Sequence, residues 1–397
     1  MTGIGVIGCG MVSHAYLGTI AREAGLELVA LASRTMVSAQ AQAARYGGRP
    51  TSVEGLLDDP GVEVVVNLAP PGVHHALGRR VLASGRHLYS EKPFATSLAD
   101  AADLLCLAEA CGLSIGCAPD TFLGEGQQTS RRLLDEGAIG RVVGGSVAFG
   151  TRGMEAWHPD PAFFFAPGGG PLLDVGPYYV TQLVNLLGPV ASVSATATTP
   201  RSERVASAPG REGQRIAVDV PTTVTGSLLF ANGANVSLSV SWDVVAHTRP
   251  PIELYGDAGT LTAPDPNRFE GRNSFTRDGR EWTSFGADPS SAGMDDASLA
   301  HAVARLVSGT DPVTGGPVGP DTPLRFGDRR GLGLLDMVEG LASGRPPRAS
   351  GKLAYHVLEV LLGLDQSAQS GTVVSIASTA ARPEPFTLPE PAPIMKA

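Results

Sequence analysis

Two glycines one residue apart, set directly behind a short apolar run, constrain this chain more than any other feature. Residues 4–7 show no polar alternation and end at Gly8, the pattern of a strand buried on both faces of a parallel sheet. Gly8-Cys9-Gly10-Met11-Val12-Ser13 then matches G-x-G-x-x-G at every place but the last. The first glycine permits a tight turn, and the second lets the backbone approach a pyrophosphate. Ser13 is small enough for helix to pack on strand. The amphipathic segment that follows aims a helix N-terminus, with its partial positive charge, at the same place. A dinucleotide site lined by Gly8, Cys9, Gly10, Met11 and Val12 is expected.

The pattern then repeats. A second apolar run, 26–32, ends at Ser33-Arg34, where an acid usually holds the ribose 2′-hydroxyl of NAD. No acid is present. Serine and arginine can hydrogen-bond and neutralise a 2′-phosphate, so NADP is favoured over NAD. Strand 62–68 ends at Leu68 and runs into Ala69-Pro70-Pro71, and helical periodicity covers 74–84. Strand 87–90 leads into Glu91-Lys92-Pro93, Ser97 opens another helix, and 113–117 is the last strand of the series. Strands alternating with helices give a doubly wound parallel sheet, whose ligands lie beyond the carboxyl ends of the strands. Ser33, Ala69-Pro70-Pro71, Glu91-Lys92-Pro93 and Ala118-Pro119-Asp120 all fall there. His74 is expected to cap or line the nucleotide pocket.

Composition excludes several classes. A chain of 397 residues can hold two domains with real cores. A net charge of −9 with 17% charged residues leaves no basic nucleic-acid footprint. No apolar run reaches membrane-spanning length, and a strand begins at once without a basic leader, so a cytoplasmic enzyme is expected. Cys9, Cys106, Cys111 and Cys117 fit neither a disulfide framework nor a paired zinc site, and read as buried or semi-buried thiols. No metal is expected.

The boundaries read as 1–120 for the nucleotide domain, 121–378 for a second domain and 379–397 for an extended proline-rich tail. Within the second domain, 142–149, 190–199, 218–230 and 234–243 are predicted strands. The last alternates sharply, with Val236, Leu238, Val240 and Trp242 on one face and Ser237, Ser239 and Ser241 on the other. Residues 200–215 lack periodicity and are expected to form a mobile loop. A late helix carries Leu353, Val357, Leu358, Val360 and Leu361 on a dense apolar face. His301 and His356 sit in helical segments and read as structural.

Gly8-Cys9-Gly10, Asn67-Leu68-Ala69-Pro70-Pro71 with His74, the stretch ending in Glu91-Lys92-Pro93, and Gly168-Gly169-Gly170-Pro171-Leu172-Leu173-Asp174-Val175-Gly176 together resemble the Gfo/Idh/MocA oxidoreductases. The resemblance runs from the N-terminus to about residue 371. It implies an N-terminal Rossmann dinucleotide-binding domain and a C-terminal α/β domain with a large open, mainly antiparallel sheet. It also implies that sheet faces pair subunits, giving a homodimer or homotetramer. The family often carries histidine two residues after the glycine of D-x-G and aspartate three further on. Here those places hold Tyr178 and Thr181. Some members carry tyrosine at the first, so an altered rather than a dead site is implied, and only the motif register selects Tyr178 over Tyr179.

The chemistry expected is hydride transfer between a nicotinamide and a secondary alcohol or ketone of a sugar, polyol or cyclitol. Lys92 polarises the reacting oxygen, Tyr178 transfers the proton, and Asp174 binds a neighbouring hydroxyl. Glu91 holds Lys92, and Pro93 fixes its turn. Trp157 is expected to stack on a sugar ring, and His158 is the rival proton donor. Two other readings use the same site: a cofactor-recycling glycosidase, and a non-catalytic nucleotide-bound regulator.

Overall fold

Valine-rich runs with no polar face become the centre of a parallel sheet, because each can be covered by helices on both sides. The computed structural model describes residues 1–286 and 329–387. His301, Pro389, Pro391 and Pro393 lie outside the described residues.

The first unit runs β1 (Thr2–Ile7), α1 (Ser13–Arg22), β2 (Leu26–Ala32), α2 (Met36–Tyr46), β3 (Arg49–Thr51), α3 (Val53–Leu57), β4 (Val64–Asn67), α4 (His74–Ala83), β5 (His87–Ser90), α5 (Leu98–Ala110) and β6 (Ile115–Cys117). Its strands lie in the order β3-β2-β1-β4-β5-β6, every pair parallel. Chain direction across the sheet reverses between β1 and β4, which opens a crevice at their carboxyl ends. The Gly8 turn leaves β1 there. Ser97 caps α5, its Oγ accepting from Asp100 N at 3.1 Å.

The second unit begins with α6 (Glu125–Asp135), β7 (Val142–Gly150), the short α7 (Pro171–Asp174) and α8 (Gly176–Leu187). Then come β8 (Val190–Thr198), β9 (Glu203–Val205), β10 (Arg215–Ala217), β11 (Thr223–Phe230), β12 (Asn235–Ser241), β13 (Ile252–Gly256), β14 (Gly259–Ala263), β15 (Asn273–Thr276) and β16 (Thr283–Phe285). Helices α9 (Leu332–Ser343) and α10 (Gly351–Ser370) and strand β17 (Val374–Ser375) complete it. Nine strands form one sheet, β16-β15-β14-β13-β7-β12-β11-β8-β17, antiparallel except where β12 pairs with β7. Val236, Leu238 and Val240 face a core shared with Leu183 and Val184 of α8 and Val360, Leu361 and Leu364 of α10. Helix α9 returns to the first unit, where Leu334 and Met337 pack with Tyr16, Val64 and Val66.

Four expectations are corrected. Residues 200–215 hold a small hairpin, β9 with β10, anchored by Arg204, whose guanidinium reaches Glu155 at 2.9 Å and Asp243 at 2.6 Å. Both carboxylates are distant in sequence, so no local pattern announced them. Ser237 is exposed and Ser239 half-buried, but Ser241 is buried, its Oγ 2.6 Å from Thr223 Oγ1. Strand 218–230 begins only at Thr223. Cys106 and Cys111 are exposed, since they fall on the outer side of α5 and its end. His356 is structural as expected, accepting from Val190 N at 3.0 Å.

Candidate functional site

The Gly8 turn is fixed by its neighbours in the sheet. Gly8 N donates to Ala32 O at 2.8 Å and Leu68 N to Ile7 O at 2.7 Å, clamping the turn between β2 and β4. Gly8 has φ +106°, and a Cβ there would stand 2.6 Å from the Leu68 carbonyl carbon. A Cβ on Gly10 would meet nothing within 4 Å. The space over the second glycine is therefore open. Ser13 is buried and its Oγ donates to Gly10 O at 2.6 Å, closing the first turn of α1. Among the described residues the backbone N–H groups of Cys9, Gly10, Met11 and Val12 donate to no protein acceptor. Free donors, an open cradle and a helix N-terminus fit a dinucleotide pyrophosphate.

Around the cradle, Cys9 Sγ lies 3.7 Å from Ala32 O, and burial lifts its thiol to about 11 despite a nearby Ser33. It is an inert packing thiol. Arg34 is exposed just past β2 and makes no hydrogen bond or ion pair among the described residues. His74 is buried, with Nδ1 2.8 Å from Pro93 O and Nε2 2.6 Å from Ala69 O. Burial holds its imidazole below the usual histidine range, although both carbonyls pull the other way. It ties the Ala69-Pro70-Pro71 loop to the turn that carries Lys92, and Asn67 Nδ2 supports it through His74 O at 3.3 Å.

Lys92 precedes a cis peptide to Pro93 at the carboxyl end of β5. The Glu91 carboxylate accepts from the Lys92 backbone N–H at 2.9 Å and from the Tyr16 hydroxyl at 2.8 Å. Glu91 thus fixes the lysine backbone, not its ammonium. Lys92 Nζ donates to Asp174 Oδ1 at 2.7 Å and to Asp174 O at 2.8 Å, and lies 5.1 Å from the Tyr178 ring centre. Burial would depress the ammonium. Asp174 above all, then Tyr178 and Glu91, outweigh it and set the Lys92 pKa above the ordinary lysine value.

Two short helices bring the partners in. The chain turns into α7 at Gly170, whose N–H donates to Phe164 O at 2.7 Å, while a Cβ on Gly169 would stand 2.3 Å from that same oxygen. The glycine run is thus required by close backbone approach. Asp174 ends α7, and Tyr178 lies in the first turn of α8, where both reach Lys92. Tyr179 turns away, its hydroxyl donating to Asp265 Oδ1 at 3.2 Å.

The structure therefore brings together Lys92, Asp174 and Tyr178. Trp157 and His158 lie in an aromatic cluster with Phe163 and Phe164, and the charge of Asp174 is felt at His158. His158 stands 5.4 Å from the Trp157 ring and 4.8 Å from that of Phe164, and its Nδ1 engages Asp160. Burial lowers its pKa, while Asp160 and Asp174 raise it. Sequence reasoning missed Arg330. Its guanidinium lies 3.4 Å from the Tyr178 hydroxyl and 3.1 Å from Asn267 Oδ1. The one local signal was an arginine at a helix start, where an acid is the usual choice.

Residues 2–117 match the oxidoreductase family with an NAD-binding Rossmann fold, and residues 127–262 match the GFO/IDH/MocA C-terminal domain. A dTDP-3,4-didehydro-2,6-dideoxy-alpha-D-glucose 3-reductase of Saccharopolyspora spinosa is 30% identical over 65% of this chain and 73% of its own length. The D-xylose dehydrogenase of Paenarthrobacter nicotinovorans is 28% identical over 38% of this chain and 40% of its own length. Among solved structures, a levoglucosan dehydrogenase in complex with NADH and L-sorbose superposes with a TM-score of 0.75 at 19% identity, covering 95% of this chain and 99% of that one. The WlbA dehydrogenase from Bordetella pertussis, in complex with NADH and UDP-GlcNAcA, superposes with a TM-score of 0.70 at 22% identity, covering 95% and 98%.

Proposed function

The chain belongs to the GFO/IDH/MocA oxidoreductases, an NAD-binding family, and on that footing we propose that it moves a hydride between a nicotinamide and a secondary carbinol carbon of a sugar or polyol. The observation that carries this reading is the convergence of Lys92, Asp174 and Tyr178 at the carboxyl ends of the parallel strands, on the same side as the Gly10 cradle. The named relatives act on sugars, which supports the substrate class.

Roles follow from charge and donor count. An ammonium held this firmly protonated is a fixed charge and hydrogen-bond donor, not a proton shuttle. It has three N–H bonds, and Asp174 engages two, leaving one for the reacting oxygen. Tyr178, in contact with the ammonium through its ring, gives or takes the hydroxyl proton. Asp174 orients Lys92 and accepts from a neighbouring substrate hydroxyl. Trp157 and His158 wall the substrate side. The bound nicotinamide supplies or accepts the hydride. Gly8, Cys9, Gly10, Met11 and Val12 would hold its pyrophosphate, and Leu68, Ala69, Pro70, Pro71 and His74 would line the nucleotide pocket.

Ser33-Arg34, with no acid at the end of β2, supports NADP as the preferred cofactor. The nine-stranded sheet leaves Ser237 paired across to Ser227 and Ser146, a flat face of small polar side chains that supports assembly as a homodimer or homotetramer. No helix of the described residues is long and apolar enough to cross a membrane.

The test is a panel of D-xylose, levoglucosan, L-sorbose and inositol with each nicotinamide, followed by the absorbance of the reduced cofactor. Net cofactor turnover with at least one carbohydrate is expected. No turnover with any, alongside tight cofactor binding, would favour a regulator and contradict the proposal.

A further inference from the structure

Neighbouring antiparallel strands need only a tight turn between them, and β8 and β11 have far more. Their ladder closes where Thr198 pairs with Thr223, and Thr222 N donates to Thr198 O at 3.0 Å. Residues 199–222 leave the nine-stranded sheet and return without adding a strand to it, and the β9–β10 hairpin lies within that excursion. The excursion packs on the aromatic segment 154–165. Ala206, Ile216 and Val218 share a buried cluster with Met154, Phe165 and Trp242, and Trp157 and Phe164 pack against it.

Arg204 of β9 is buried at this contact. Its Nη1 donates to Arg152 O at 3.1 Å and Glu155 Oε1 at 2.9 Å, and its Nη2 to Trp242 O at 3.2 Å and Asp243 Oδ1 at 2.6 Å. Asp243 belongs to the sheet side, where its Oδ2 accepts from Thr222 Oγ1 at 2.6 Å and Thr223 Oγ1 at 2.9 Å. Glu155 belongs to the aromatic segment, two residues before Trp157. The guanidinium therefore ties the segment to the sheet. The hairpin backbone adds to the grip: Ser207 N and Ala208 N donate to Glu155 O at 2.9 and 3.1 Å. Arg211, exposed in the hairpin turn, donates through Nε to Pro159 O at 2.9 Å, beside His158, and Asp219 N donates to Phe165 O at 2.9 Å. The segment itself holds only two single turns of 3₁₀ helix, Met154–Ala156 and Ala162–Phe165, so its shape is set by what grips it.

We propose that the β9–β10 hairpin is a specificity-determining element of the carbohydrate site, with Arg204 the positioning residue that sets Trp157 and His158 as one wall of it. The inference rests on the reading of the site as one for a sugar or polyol. An aromatic ring offers a flat apolar face, and its place decides which surface of a carbohydrate it covers. Lys92 and Asp174 are carried by β5 and α7, so the clamp acts on binding and discrimination more than on the hydride step.

The experiment compares wild type, Arg204→Lys, Arg211→Ala, Trp157→Ala and the double variant Arg204→Lys/Trp157→Ala on D-xylose, levoglucosan, L-sorbose and inositol with saturating cofactor. Lysine keeps the charge but has three donors for four acceptors. Arg204→Lys should raise KM for the best carbohydrate about tenfold and narrow its lead in kcat/KM over the next by about as much, with kcat within about threefold of wild type. Arg211→Ala removes one exposed contact and leaves the buried carboxylates paired, so it tests the same claim in a protein whose folding is not at stake. It should shift KM and preference in the same direction by about threefold. Trp157→Ala should raise KM at least as far as Arg204→Lys, and the double variant no further than Trp157→Ala alone, because Arg204 acts through that wall. A merely structural arginine would multiply the two effects. Cofactor affinity, followed by nucleotide fluorescence, should stay at the wild-type value. If the effects multiply, or if neither hairpin variant moves KM or the preference among carbohydrates, the inference falls and the carbohydrate reading stands. If the wild type turns over none of the four, both fall.

Discussion

Lys92 Nζ and Asp174 Oδ1 lie 2.7 Å apart although 82 residues separate them in the chain. One ends a strand of the parallel sheet, and the other ends a four-residue helix of the second unit. The ion pair spans the seam between the two units, so it fixes their relative placement at the point where chemistry is proposed. Its side chains are 16% and 20% exposed, between a surface pair of little worth and a fully buried one. Asp174→Ala should therefore cost about 1–3 kcal/mol in urea unfolding, because it leaves a largely buried ammonium unpaired. Turnover should fall by about 10²-fold or more. Unchanged stability together with unchanged turnover would remove both roles from Asp174.

Asp120 gives the account its pH dependence. Burial lifts its carboxyl to about 6, against the lowering effect of the Gly333 and Gly331 N–H groups and of Arg330. A carboxyl with a raised folded-state pKa binds its proton more tightly in the native state than in the unfolded chain. Its contribution to stability therefore falls as pH rises from about 4 to about 6 and is level above that. One oxygen, Oδ2, accepts both backbone N–H groups, so an amide oxygen can replace it. Asp120→Asn should gain on the wild type by up to about 3 kcal/mol between pH 4 and pH 7, read from paired denaturant titrations. Parallel stability curves would show that Asp120 does not titrate in that window.

Arg34 is the lever on cofactor choice. It stands exposed at the end of β2 with no partner among the described residues. Arg34→Asp should weaken binding of reduced NADP by about 1.5–3 kcal/mol, the loss of a charge-assisted phosphate contact, and change NAD binding far less. Fluorescence titration with both nucleotides measures this. Equal affinity of the unmodified protein for the two would end the argument for NADP.

Assembly is tested at Ser237. Its exposed side chain lies in the middle of the open sheet face, between Ser227 and Ser146. Ser237→Arg would set like charges against each other across a symmetric contact and should reduce the mass in sedimentation to that of one chain. A wild-type protein that is already monomeric at micromolar concentration contradicts the proposed interface.

Much of the fold could be read from local pattern. The apolar runs at β1, β2 and β4, the glycine turn and the Ser97 cap are written within a few residues each, and the alternation of β12 names its buried face. Three-residue strands such as β3 and β9 carry no such periodicity and form because neighbours supply their hydrogen bonds. The candidate site divides in the same way. Lys92 and Asp174 sit in motifs that fix the backbone around them. Arg330 is marked only by its place at a helix start, and Asn267 by nothing local, because the Tyr178 hydroxyl that Arg330 faces lies more than 80 residues earlier in the chain. The choice between Tyr178 and Tyr179 likewise needed the direction of α8, which turns the second hydroxyl to Asp265.

The central claim is hydride transfer to a carbinol carbon with Lys92 as the fixed charge, and isotope tracing tests it most directly. Reduced cofactor deuterated at nicotinamide C4 would be incubated with the ketone form of the best carbohydrate, and the product read by mass spectrometry. Wild-type protein should place deuterium on the carbinol carbon in step with cofactor oxidation. Lys92→Ala should bind the cofactor normally but transfer deuterium about 10²–10⁴-fold more slowly. Deuterium transfer at the wild-type rate by Lys92→Ala, or release of an aglycone with no net cofactor oxidation by the wild type, would contradict the account.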